Sequence, residues 1–172
     1  MSQKNPFAIE FSAMPLGKHD FEFDINNDFF ESLEFSPLEK GTLHASVVFD
    51  KTQQQLFHVS LQIEGFVAVP CDRCNQEIEI PLEIDETLIV KLTEHEDECD
   101  LDEHIWVILS SEHQLDLGHL FYELILTHLP IKKVHANKKD CGVDIITDLE
   151  HEKQKNEKKS DDRWNKLLDL LK

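Results

Sequence analysis

Across residues 43–92 apolar and polar side chains alternate with period two, and that alternation constrains the fold more than any other feature of the chain. Successive residues of a β-strand point to opposite faces, so such a pattern specifies strands with one face buried and the other in water. Residues 43–49 and 56–69 carry it on either side of the polar run Asp50-Lys51-Thr52-Gln53-Gln54, which reads as the turn of a hairpin. Gly65 interrupts the second run and reads as a bulge where a long strand bends. The alternation resumes at Ile78, Ile80, Leu82 and Ile84, which places Cys71-Asp72-Arg73-Cys74 at the tip of a second hairpin.

The flanks extend this plan. Phe7, Ile9 and Phe11, then Phe21, Phe23 and Ile25, alternate like half-buried strands, and a helical turn is expected over residues 27–33. Residues 105–109 read as one more buried strand anchored by Trp106. Asp116 is placed to cap a helix running to Leu129, because Leu117, Leu120, Phe121, Leu124, Ile125 and Leu129 share one face at helical spacing; Pro130 ends it. Residues 150–159 have no apolar period and read as linker. Beyond them Trp164, Leu167, Leu168 and Leu171 are spaced for a short amphipathic helix, too short to persist in water unless it docks on its own domain or on a partner. The expectation is an α+β fold: an antiparallel β-rich single domain over residues 1–147 with one long packed helix, a charged linker over 148–160, and a short C-terminal docking helix over 161–172.

The formal charge of -18 repels phosphate backbones, so nucleic-acid contact would have to be local, whereas a basic protein partner is electrostatically favoured. No apolar run reaches the roughly 20 residues needed to cross a bilayer, and the start Met1-Ser2-Gln3-Lys4-Asn5-Pro6 lacks a secretory apolar core. A cytoplasmic protein is expected, in which Cys71, Cys74, Cys99 and Cys141 stay reduced. The acid-rich residues 94–103 lack the glycine and ligand spacing of a calcium loop and read as a solvated connection.

Two thiols in C-x2-C spacing on a hairpin tip can supply half of a tetrahedral zinc site. His135 and Cys141 lie in a polar stretch with few other reasons to hold them and would complete a Cys3His set for a structural Zn2+. His95 and Cys99 are a rival pair in the acidic segment, and plain buried thiols are the bland alternative. A redox dithiol would want the first thiol at a helix N-terminus, but residues 75–84 alternate like a strand and contain Pro81. Lys132, Lys133, Lys138 and Lys139 with Arg73 form the one local basic patch, a candidate RNA contact. There is no G-x-S-x-G and no phosphate-cradling glycine loop, and no enzyme is expected.

The run Gly65-Phe66-Val67-Ala68-Val69-Pro70-Cys71-Asp72-Arg73-Cys74 resembles the strand and C-x-R-C signature of the YceD family. Leu115-Asp116-Leu117, the Leu129-Pro130 helix ending, and the later His135 and Cys141 are similar to further elements of that family. The closing Asp162-Arg163-Trp164-Asn165-Lys166-Leu167 resembles its Bacteroidetes-type branch. The resemblance implies a non-enzymatic factor needed for 23S ribosomal RNA to accumulate and for the large subunit to assemble. It also implies a ribosomal protein or large-subunit assembly intermediate as partner. The residues themselves leave two alternatives, direct RNA binding through the local basic patch and a C-x2-C thiol oxidoreductase.

Overall fold

The computed structural model describes residues 5–94 and 105–141. The chain divides into two compact units, one of Met1–Val69 with Glu79–Ile131 and a smaller one of Pro70–Ile78 with Lys132–Lys172. The first is built on a five-stranded sheet in the order β2 (Gly17–Ile25), β3 (Lys40–Lys51), β4 (Leu56–Pro70), β5 (Glu77–Thr93) and β6 (Ile105–Leu109). A two-stranded ribbon pairs β1 (Ala8–Ile9) with β7 (Leu115–Asp116), and two helices, α1 (Asn27–Glu31) and α2 (Gly118–His128), complete an α+β fold.

The alternation read from the sequence is the cause of the sheet's two faces. Leu43, Ala45, Val47 and Phe49 on β3 and Phe57, Val59, Leu61, Ile63 and Val67 on β4 are all buried, while the residues between them turn to the other side. Burying each such side chain is worth about 1.5–3 kcal/mol for the larger ones, so slipping the pairing by one residue would expose the whole set. Phe121 and Ile125 of α2 are fully buried, and the Phe121 ring lies 5.5 Å from Phe23 and 6.2 Å from Phe7. α1 is held at its start by Asn26, whose side chain accepts from the Phe29 amide. The end of β3 contains a buried lysine: the Lys51 ammonium donates to the carbonyls of Phe11 and Met14, both at 2.9 Å.

Several expectations need correction. Gly65 is not a bulge, because β3 and β4 keep an unbroken antiparallel register through Leu43↔Gly65. The glycine is required there by φ +145 and by a close approach: a Cβ would stand 2.3 Å from the Thr42 carbonyl oxygen. Asp116 does not cap α2. It ends β7 and its carboxylate accepts from the Gly118 amide, so the helix starts after Leu117, which has no side-chain cap. The sheet is not antiparallel throughout: β6 runs parallel to β5. Trp106 is only half-buried, and of the run at Phe7, Ile9 and Phe11 only Ala8–Ile9 pairs as a strand. The linker over 148–160 and the helix over 161–172 lie outside the described residues, as do His95 and Cys99. No helix among the described residues is long and apolar enough to cross a membrane.

Candidate metal centre

Between β4 and β5 the chain makes a tight knuckle that folds on its own backbone bonds. The Cys71 amide donates to the Gln76 carbonyl at 2.8 Å, and the Asn75 amide donates to the Cys71 carbonyl at 2.8 Å. Closing the turn demands a left-handed residue, and Asn75 takes that place at φ 60, a conformation its short polar side chain tolerates better than most.

A second segment is tied to this knuckle by a reciprocal pair of bonds: the Asp72 amide donates to the Lys133 carbonyl at 2.7 Å, while the Lys133 amide donates to the Asp72 carboxylate at 2.6 Å. The Lys133 ammonium lies 4.0 Å from the same carboxylate. These bonds deliver His135 to the thiols. A 3₁₀ turn at Lys138–Asp140, closed by the Asp140 amide on the Asn137 carbonyl, then brings in Cys141. Cys71, Cys74 and Cys141 are all buried, with Ile78 and Val134 packed against them.

The four donor atoms lie within 4.8 Å of one another. His135 Nδ1 is 3.6 Å from Cys74 Sγ and 3.5 Å from Cys141 Sγ. Zinc bonds of about 2.3 Å to sulfur and 2.0–2.1 Å to nitrogen in a tetrahedron require S···N edges of roughly 3.5 Å and S···S edges of roughly 3.8 Å. The residues therefore fit a zinc ion by donor type, number and spacing. Three thiolates around a divalent cation leave one negative charge, and Arg73 offsets it: its guanidinium donates to Cys141 Sγ at 3.3 Å and its amide to Cys71 Sγ at 3.5 Å.

The thiols are not equivalent. Burial pushes the Cys71 thiol up, but the backbone amides of Arg73, Cys74 and His135 and the His135 side chain outweigh it, and the thiol comes down from its ordinary 9.0 to about 6. Burial pushes Cys141 up; Arg73 opposes this, the neighbouring Cys74 adds to it, and the thiol stays above its ordinary value. Cys71 is thus a thiolate near neutral pH before any metal arrives, as a ligand must be. No disulfide joins these residues; all three cysteines are free.

Two of the candidate contact residues are already engaged at the knuckle. Arg73 faces sulfur, and Lys133 is engaged with Asp72. Lys132 and Lys139 are exposed, and Lys138 begins the 3₁₀ turn. Trp164, Leu167, Leu168 and Leu171 lie outside the described residues. Asp72, which joins the two halves of the site, is a positioning residue that sequence reasoning misses; an Asp inside a C-x2-C turn is the only sequence signal that points to it.

No curated protein and no solved structure matches the chain. A family model does: residues 59–171 match the one described as large ribosomal RNA subunit accumulation protein YceD, a span that includes the knuckle, α2 and both distant ligands. With more than half of its length matched, the chain belongs to the YceD family.

Proposed function

We propose that this chain is a non-enzymatic cytoplasmic factor in the accumulation of 23S ribosomal RNA, acting as an acidic adaptor for a basic ribosomal protein or large-subunit assembly intermediate. The match to the large ribosomal RNA subunit accumulation family carries the reading. The formal charge of -18 supports a basic partner, because it draws in a basic protein and opposes a phosphate backbone. The Cys3His cluster serves the fold: a bound Zn2+ would fasten residues 132–141 to the knuckle and leave no open coordination position for a reaction.

Direct RNA binding is the second reading, and the prior engagement of Arg73 with Cys141 and of Lys133 with Asp72 weakens it. The thiol oxidoreductase reading has one observation in its favour, the depressed Cys71 thiol, but a buried thiol with a ligand set around it meets a metal's requirements better than a substrate's. Titrations of the full chain against naked large-subunit ribosomal RNA fragments and against basic large-subunit ribosomal proteins, across salt, separate the readings. Binding to the proteins is expected. Tight RNA binding with a steep salt slope, abolished by charge reversal at Lys132 and Lys133, would overturn the adaptor role.

A further inference from the structure

β2 is an edge strand of the five-stranded sheet. Among the described residues it pairs only with β3, and no other backbone hydrogen bond reaches Gly17–Ile25. An edge of this length offers a row of unused amides and carbonyls to another strand. Its side chains divide cleanly. Asp20, Glu22 and Asp24 stand exposed on the outer face, and Phe21 and Phe23 lie half-buried on the other, their rings stacked at 6.4 Å.

The outer face continues the same charge inward: the register sets Asp24 beside His44 and His44 beside Glu64, while Glu64, Glu83 and Asp85 line one shallow cleft on β4 and β5. His44 bridges the edge carboxylates, with Nε2 2.5 Å from Glu22 and Nδ1 3.0 Å from Asp24, using one oxygen of each. Among the described residues the other oxygens have no hydrogen-bond partner, and the Asp24 side chain is 89% exposed.

We propose that β2 accepts an added strand from a basic protein, a segment with Lys or Arg at alternate positions and apolar residues between them. Opposed side chains of paired strands lie about 4.5–5.5 Å apart, so alternate cations would face Asp20, Glu22 and Asp24 while the intervening apolar residues cover Phe21 and Phe23. The same carboxylates select the occupant. A second copy pairing antiparallel through β2 would set acids against acids, and an RNA strand would bring phosphates to carboxylates. The proposal rests on the adaptor reading for the basic character of the partner and adds the surface and the mode of binding.

The test uses the full chain and a synthetic peptide alternating Lys with Val over nine residues, the length of β2. Three controls accompany it: the same composition with the lysines clustered, the alternating peptide with alternate N-methyl amides, and the triple variant Asp20→Asn, Glu22→Gln, Asp24→Asn, which retains oxygen acceptors beside His44. The alternating peptide should bind and protect alternate β2 amides from hydrogen exchange. Each control should weaken binding by about tenfold or more. Equal binding by the N-methylated or clustered peptide, or binding without new protection on β2, would overturn strand addition. Ribosomal-protein binding unaffected by the triple variant would sink this inference and leave the adaptor reading standing. Peptide addition to β2 without any ribosomal-protein binding would do the reverse.

Discussion

Removing the imidazole from the Cys3His cluster is the sharpest test of the candidate centre. His135 Nδ1 lies 3.6 Å and 3.5 Å from two sulfurs, both close to the edge of roughly 3.5 Å that a zinc tetrahedron requires. His135→Ala deletes this corner and leaves the three thiols, the Arg73 bond to Cys141 and the Asp72–Lys133 pair in place. Structural zinc contributes on the order of 10–16 kcal/mol to small domains, so one ligand in four carries roughly a quarter, or two to three decades in Kd. Competition against a chromophoric chelator at fixed pH reads that change directly. Cobalt substitution supplies an independent measure, since the sulfur-to-metal charge-transfer band should keep its three-thiolate intensity while the ligand-field bands shift. The wild-type chain should carry near-stoichiometric zinc. Metal-free wild-type protein, folded and indifferent to chelator, or a His135→Ala affinity equal to wild type, would refute the tetrahedron.

Cys71 in metal-free protein should ionise with a midpoint of about 6, tracked by thiolate absorbance; Cys71→Ser should remove that transition and, in loaded protein, the zinc. Because the folded value lies below the unfolded one, its contribution to stability is present above the ordinary 9.0 and is lost as pH falls through about 6, which chelator-treated protein unfolded across pH will show. His44 should titrate above 6.5, held up first by Asp24 and then by Glu22, and Asp24→Asn should lower it by NMR. Its stabilisation is therefore full below 6.5 and lost as pH rises through the higher folded value. Gly65→Ala should destabilise the fold by about 3 kcal/mol or more in denaturant melts, since strain adds to a backbone clash, whereas Gly17→Ala at φ +125 meets open space and should cost only about 1–2 kcal/mol.

Much of this fold is legible in the sequence because burial follows period two directly. The inner residues of β3 and β4 are those the alternation names, and the hairpin-tip position of the cysteines follows from the strands on either side. His135 and Cys141 stand out as ligand-type residues in a polar context without another purpose, and the structure brings both to the knuckle. What stays hidden depends on backbone geometry or on residues far apart in the chain. Gly65 carries no mark distinguishing a bulge from a close approach to Thr42, and β6 carries none for strand direction. Arg73 reads as a surface cation because only the folded turn shows Cys141 beside its guanidinium.

The Asp72–Lys133 pair joins positions 61 apart in sequence, and that separation orders events as the protein matures. Bringing such ends together from an open chain costs roughly 3–4 kcal/mol in loop closure alone. All of β5, together with β6, β7 and α2, lies between the two halves, and their folding shortens the search. Metal capture would then come late, as a seal on a chain already organised rather than a nucleus for it. Zinc content would accordingly report whether a given molecule has finished folding.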